Sequence, residues 1–593
     1  MCGIIGYNGN KNAINIVING LKKLEYRGYD SSGIAYFMKD KIKIIKEKGR
    51  INDLEKILEN DYTNLSIGHT RWATHGEPNK INSHPHQVGK VTIVHNGIIE
   101  NYAELKEELV KKGYTFKSET DTEVACCLLD YLYLENKDKL EVIRKATEIL
   151  KGSYAFLILF EDDETIYAIR EGSPLIIAES ENGNLISSDI PAILEFTNKY
   201  YLLDSNEIAV VKKDNIIFYH NKKIIKKELL TFNQDITSAK KDGYTHFMLK
   251  EINEQPKVIQ NFLDYYLNNL NLIPDISKYQ KIHIVGCGSA YHAGLVGKYL
   301  IEEYGKKEVS VHVASEYRYQ ENFINKDTLV ILISQSGETA DTIASLRLAL
   351  EKGAKTLGII NVVGSTISRE VDEVIYINAG CEIAVATTKA YTLQVLSFSL
   401  LAYKLGLITN NIDIKLNEII LTDYQKIKTE LNNLLKLNYQ EYAKKLYHKE
   451  NIFFIGRQLD YYLALEGSLK LKEISYIHSE TYPAGELKHG TISLIENDTP
   501  VISLLTNEKI YLKTISNIKE TKARGAYSLV LKKKNMIIQD DVYDDLIELP
   551  NLIDLASCVV SIIPLQMIAF ETANLLGYDI DKPRNLAKSV TVE

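Results

Sequence analysis

The second half of the chain writes one pattern twice. KIHIVGCGSAYHAGL, beginning at Lys281, has the grammar of NIFFIGRQLDYYLALEG, beginning at Asn451. DTLVILISQSGETADTI from Asp327 answers DTPVISLLTNEKIYLKT from Asp498, and GAKTLGIINV from Gly353 answers GAYSLVLKKK from Gly525. Apolar β-branched runs that alternate with helical segments need a parallel sheet covered on both faces. The repeat therefore predicts two copies of one doubly wound α/β unit, with ligands expected at the C-terminal ends of strands near the switch point. The copies are chemically unequal: the first has ISQSGET where the second has LLTNEKI.

The first part, to about Tyr219, is written differently. Short β-rich runs such as IKIIKEKG, VTIVHNG, YAFLILF, TIYAIR and EIAVVKK are punctuated by Gly, Asn and Asp, with helical segments such as NYAELKEELVKKG between them. That pattern predicts an α+β domain of stacked antiparallel sheets between helices. The polar stretch LTFNQDITSAKKDG reads as a connector, followed by entry into a helix. The expected plan is a first domain at 1–219, a linker and entry helix at 220–272, α/β units at 273–413 and 444–580, and a tail at 581–593.

Composition excludes some classes. A net charge of -8 over 593 residues offers no basic footprint for nucleic acid or for a membrane surface. Six cysteines without a CxxC pair suit a reducing cytoplasm, and neither they nor the histidines form a metal-ligand set. No leader peptide is read at the N-terminus. The most apolar stretches, AYTLQVLSFSLLAYKLGLI and SCVVSIIPLQMIAFETANLLG, contain Lys404 or Pro564 and Glu571, and read as buried core helices.

Cys2 stands directly behind the initiator methionine. If Met1 is removed, the residue carries a thiol beside a free α-amine, and that amine can serve as the base for its own thiol. Alone, it could equally be an ordinary residue near a terminus. Polar clusters at strand ends and turns, GHTRWATHGEP, VHNGIIEN and SETDTEV, are the usual setting for binding residues. Taken in order, MCGIIGY, LEYRGYDSSGIA, HTRWATHG, HNGIIEN and SETDTE resemble the N-terminal-nucleophile glutamine amidotransferase domain. The resemblance implies that Cys2 is the nucleophile and that Asn96 and the backbone N–H of Gly97 form the oxyanion hole. It also implies that Arg71 clamps the glutamine carboxylate and Asp121 its ammonium, and that Thr74 and His75 line the pocket. Trp72 would be the ammonia gate. A zwitterionic substrate needs one fixed cation and one fixed anion, which suits Arg71 and Asp121.

The acceptor of the nitrogen must be read from the second half. In ISQSGETADT a β-run ends in hydroxyls and glycine just as a helix begins, which describes an anion site that needs neither lysine nor magnesium. GCGSAYHAG is a weaker turn of the same kind, and its glycine spacing is not that of a dinucleotide fingerprint. With EIAVATTKAY, ALEGSLKLKEISYIH, AGELKHG and the terminal DKPRNLAKSVTVE, the whole chain resembles the glutamine–fructose-6-phosphate aminotransferase (isomerising) family, with two sugar isomerase domains. That resemblance implies phosphate contacts from Ser289, Ser334, Gln335, Ser336 and Thr339, and sugar contacts from Val385, Thr387 and Ala587. His489 would open the furanose ring, Lys588 would form a Schiff base, and Glu473, assisted by Lys470, would move a proton between C1 and C2.

Lys470 and Glu473 are three apart on an apparent helix and so share a face; without the family they would read as a solvent-exposed ion pair. The family's usual CGTSY is CGSAY here, leaving Ala290 without a hydroxyl, Thr387 replaces a usual serine, and Thr491 stands where proline is common. No cofactor is implied, the partners are L-glutamine and D-fructose 6-phosphate, and a homodimer sharing the isomerase site is expected. Phosphoribosyl-pyrophosphate amidotransferase and asparagine synthetase would need loops that are missing. A glutaminase with another sugar-phosphate acceptor, or a sugar-phosphate sensor, are the alternatives.

Overall fold

The structure, a computed structural model, describes residues 2–39, 41–73, 75–231 and 241–590. The chain forms two compact units, Met1–Thr237 with Ala587–Glu593, and Ser238–Leu586.

In the first unit two antiparallel sheets stack face to face. The eight-stranded sheet runs Leu230–Thr231, Lys199–Leu202, Ile176–Ser180, Gly183–Ser187, Gly3–Gly9, Leu65–Arg71, Ser31–Met38 and Lys41–Lys48 in spatial order. The seven-stranded sheet includes Val91–Ile99, Gly152–Phe160, Asp163–Glu171 and Glu207–Val211. Both faces of each sheet are covered, so the period-2 alternation sorts one apolar group from another rather than apolar from polar. In YAFLILF, Ala155, Leu157 and Leu159 enter the core shared with Ile4, Ile67 and Ile186 of the other sheet. Tyr154, Phe156, Ile158 and Phe160 pack on the opposite side, among residues of the helices Tyr102–Lys111, Asp121–Glu135 and Lys139–Ile149. The stretch 220–231, expected as connector, is partly sheet: Lys223–Ile225 pairs with Ile216–His220, and Leu230–Thr231 pairs with Lys199–Tyr200. The sheets therefore continue past residue 219.

The second unit holds two five-stranded parallel sheets with the same order. In the first, Lys281–Gly286 lies between Val309–Val313 and Thr328–Ser334, followed by Lys355–Ile360 and Glu373–Tyr376. In the second, Asn451–Gly456 lies between His478–Pro483 and Pro500–Leu505, followed by Tyr527–Lys533 and Asp545–Leu549. In each the chain reverses direction across the sheet beside its first strand, the switch point where loops open a crevice. The two most apolar segments, Lys389–Ile408 and Asp554–Leu575, are buried over 83% and 94% of their most apolar windows, as core helices should be. The entry helix Phe247–Asn268 joins the same core through Met248, Ile252, Ile259 and Phe262.

Candidate active sites

In the first unit, Gly3–Gly9 is a central strand paired with Leu65–Arg71, with Gly3 opposite Thr70, so Cys2 is delivered to the end of Arg71–Trp72. The Trp72 N–H donates to the Cys2 Sγ at 3.3 Å. From the other sheet, Asn96 Nδ2 donates to the Cys2 carbonyl at 2.9 Å, while Asn96 Oδ1 is buried and has no hydrogen-bond partner among the described residues. Burial pushes the Cys2 thiol up, against the Trp72 amide and the Arg71 guanidinium, which pull it down. A thiol held neutral needs a base to become a nucleophile.

Backbone conformation and crowding both require glycine at Gly97. Its φ is +120°, and a Cβ there would lie 1.9 Å from the Ser153 carbonyl oxygen. The next turn of the strand is fixed by Asp121, which opens the helix Asp121–Glu135 and accepts the Ile99 N–H at 2.8 Å. Arg71 is 3% exposed and donates to the carbonyls of His75, Gly76 at 3.1 Å and Glu77 at 3.3 Å. Burial lowers its pKa. His75 sets its ring edge-on to Tyr102, with centroids 5.2 Å apart. Thr74 lies outside the described residues.

Beneath these groups four histidines form a network. His69 Nε2 lies 2.8 Å from the His95 carbonyl, and Thr122 Oγ1 lies 2.9 Å from His95 Nδ1 and 3.2 Å from His84 Nε2. His69 stacks on His84 with centroids 4.0 Å apart. Burial pulls all of them toward the neutral form: His69 to about 3, His84 and His86 well below the usual value, and His95 downward. This network ties Asn96's neighbour to Asp121's neighbour.

In the second unit, the helix Leu459–Ser475 packs on Ser289–Leu300. Lys470, 1% exposed, donates to Glu473 at 2.5 Å and lies 3.4 Å from Glu466, itself 0% exposed. Lys470 and Glu466 are thus buried and Glu473 is partly exposed, where the spacing alone reads as a solvent-exposed ion pair. Desolvation favours a neutral lysine, yet Glu473 and Glu466 raise its pKa above the usual value. Glu466 was missed by motif reading, although positions 466, 470 and 473 follow i, i+4, i+7 spacing. The Glu466 Oε1 that faces Lys470 also accepts a hydrogen bond from Ser289 Oγ at 2.8 Å, and Glu466 Oε2 lies 2.9 Å from His292 Nδ1. Ser289, expected at the phosphate, therefore has its hydroxyl engaged by a buried carboxylate. Such a carboxylate would repel an anion placed there.

In the Ser334–Thr339 loop the hydroxyls and amides bond to one another. Ser334 Oγ lies 3.0 Å from Thr339 Oγ1 and accepts the Gly337 N–H at 2.9 Å, and Ser336 Oγ accepts the Glu338 N–H at 3.1 Å. The Gln335 carbonyl accepts the Asn361 N–H at 3.3 Å. The Glu338 carboxylate is drawn onto the Thr366 N–H at 2.7 Å and its hydroxyl at 2.8 Å. Helix Ala340–Glu351 begins without a side-chain cap at Thr339. Thr387 donates to Glu382 at 2.6 Å, and the Val385 N–H donates to the Asp581 carbonyl at 3.0 Å. Glu382 also caps Lys389–Ile408 through Thr388 and Ala390.

His489 is exposed at the end of the short turn Leu487–His489, and among the described residues no hydrogen bond joins its ring to the Lys470 group. Ala587 and Lys588 are half-buried and belong with the first unit.

A thiol-bearing antiparallel sandwich and two parallel α/β copies define a glutamine amidotransferase joined to a pair of sugar isomerase units. The Glutamine amidotransferase domain matches residues 69–195, and the SIS domain matches 275–404 and 445–573. The chain is similar over its whole length, and over the whole of each relative, to the "Glutamine--fructose-6-phosphate aminotransferase [isomerizing]" proteins of Caldanaerobacter subterraneus subsp. tengcongensis at 49% identity and Clostridium tetani at 47%. The solved C-terminal domain of the glucosamine-fructose-6-phosphate aminotransferase of Francisella tularensis matches with a TM-score of 0.55 at 36% identity, covering 58% of this chain and 99% of that one. The chain belongs to the isomerising glutamine–fructose-6-phosphate aminotransferase family and is an enzyme.

Proposed function

We propose that the chain moves the amide nitrogen of L-glutamine onto D-fructose 6-phosphate and isomerises the adduct to D-glucosamine 6-phosphate, releasing L-glutamate. Removal of Met1 exposes the Cys2 amine, which takes the thiol proton; the thiolate attacks the glutamine amide carbon, and the oxyanion is held by Asn96 Nδ2 and the Gly97 N–H. Ammonia leaves with a proton from the amine, and water then cleaves the thioester to glutamate. Arg71, His75, Thr74 and Asp121 hold the substrate's charged end, and Trp72 gates the ammonia.

At the second site Ser334, Gln335, Ser336 and Thr339 hold the phosphate, while Val385, Thr387 and Ala587 contact the sugar. His489 of a neighbouring subunit opens the furanose ring, which makes the working unit a homodimer. The Lys588 amine condenses with the C2 ketone and expels water; ammonia then displaces the lysine. Glu473 carries a proton between C1 and C2, with Lys470 compensating its charge. The chain's own groups suffice for each step, without a cofactor, in a reducing cytoplasm. The sugar isomerase units span 273–413 and 444–580, and the tail 581–593 closes the sugar site.

The observation that carries this reading is the buried Lys470 between Glu473 and Glu466: a partly exposed carboxylate that must gain and lose a proton sits beside a fixed, buried cation. The test is a paired assay with glutamine and fructose 6-phosphate. Glutamate and glucosamine 6-phosphate are expected in equal amounts; glutamate without amino sugar overturns the acceptor assignment.

A further inference from the structure

The two parallel sheets can be matched residue by residue. His283 pairs with Val330 in the first and Phe453 with Val501 in the second. After the first strand of each, the chain turns through Gly288, with φ 54° and ψ -126°, or Gln458, with φ 52° and ψ -121°. A Cβ on the preceding glycine, Gly286 or Gly456, would meet the carbonyl carbon four residues on, of Ala290 at 3.1 Å or Asp460 at 2.5 Å. Position 290 in the first copy is therefore position 460 in the second. By the same register Ser334, Gln335 and Ser336 correspond to Leu505, Thr506 and Asn507.

At this shared place the copies diverge. Asp460, 1% exposed, lays its carboxylate into the loop after Pro500–Leu505. It accepts the Thr506 N–H at 3.0 and 3.1 Å, the Asn507 N–H at 3.4 Å, and the Thr506 hydroxyl. These are the donors with which a strand-end loop holds a phosphate. The first copy has a methyl group at this position, and its loop is the one assigned to the sugar phosphate.

We infer that Asp460 is a built-in anion that occupies the phosphate loop of the second copy and so confines sugar-phosphate binding to the first. The inference rests on the Ser334–Thr339 loop being the phosphate site. A carboxylate and a phosphate demand the same donors and repel each other, so the two cannot share the loop. The carboxylate's own position is costly: desolvation pushes its pKa up to about 6. A fold that keeps so disfavoured a charge, matched by N–H and O–H donors on two successive residues, has retained an anion site and filled it from within. A chain with the carboxylate removed would expose a latent second site for a phosphate monoester.

The test counts bound inorganic phosphate and fructose 6-phosphate by equilibrium dialysis on the full chain. The wild-type chain is expected to bind a single fructose 6-phosphate. Asp460→Ala is expected to bind an additional inorganic phosphate, which survives Ser336→Ala in the first loop; Asp460→Asn, which keeps the volume filled, is expected to bind none. A folded Asp460→Ala chain that binds no additional phosphate overturns the inference. If this variant does not fold alone, added phosphate should restore a cooperative thermal transition whose midpoint rises with phosphate concentration; no restoration overturns the inference as well. If Ser336→Ala leaves fructose 6-phosphate binding intact, the assignment of the first loop fails instead, while the phosphate gained by Asp460→Ala is read independently.

Discussion

Replacing Lys470 by methionine tests the electrostatic reasoning most directly. Methionine keeps the apolar stem and deletes the charge, leaving the fully buried Glu466 and its neighbour Glu473 without their cation. Removing one member of a buried ion pair costs about 3–5 kcal/mol, because the remaining charge is desolvated and unmatched. The Ser289 hydroxyl and the His292 ring still meet Glu466, but neither is a fixed charge that replaces the ammonium. One carboxylate should then take up a proton, with a folded pKa above the unfolded value of about 4.3. The folded state would bind more protons than the unfolded one. The variant should therefore gain stability as pH falls from neutrality toward that unfolded value, by up to ~1.4 kcal/mol per pH unit. Adding Glu466→Gln should recover most of the loss at pH 7.5. Amide exchange along Leu459–Ser475 reads the local stability, and Trp72, the chain's one tryptophan, reports on the first unit as an internal control. A loss that does not vary with pH, or a double variant whose losses simply add, would refute the argument.

Gly97→Ala should reduce glutamine hydrolysis by roughly 10²–10³-fold, the worth of an oxyanion donor, since its Cβ collides with Ser153 and displaces the amide; amination with added ammonium salt should persist, and near-normal hydrolysis would sink the assignment. The first unit should be acid-labile. His69, His84, His86 and His95 all have folded pKa values below the unfolded value of about 6.5, so the stability they allow is complete above that pH and is lost as pH falls below it, at up to ~1.4 kcal/mol per unit for each. The urea midpoint read by Trp72 fluorescence at pH 7.5 and 5.5 checks this, and an unchanged midpoint contradicts it.

The fold was legible where the chain writes long signals. Strands buried on both faces appear as unbroken runs such as TLVILIS, and their repetition is visible without any structure. Lys223–Ile225 and Leu230–Thr231 were not legible, because strands of three and two residues among lysines carry no measurable period. Among the candidate site residues, Arg71, Asn96 and Asp121 stand in compact motifs that the sequence displays. Glu466 and Asp460 do not: a carboxylate on a helix is read as solvated by default, and only the packing of one helix against a neighbouring helix or loop reveals that each is buried and which donors meet it. Ser289 shows the reverse: a hydroxyl in a glycine-rich turn looks like an anion ligand, and only the structure reveals that it donates to Glu466.

The turn at Gly288 bears on how such loops are judged. Its left-handed backbone invites the explanation that glycine is there to let a phosphate approach. Gln458 adopts the same pair of torsion angles with a full side chain, in a copy whose loop is closed by its own carboxylate. The conformation is thus an inheritance of the strand-to-helix corner, kept wherever Gly286 or Gly456 lets the following helix pass close. Glycine at 288 relieves the corner of strain and says nothing about a visitor; the vacancy that matters lies two residues later, where Ala290 has a methyl group in place of a carboxylate.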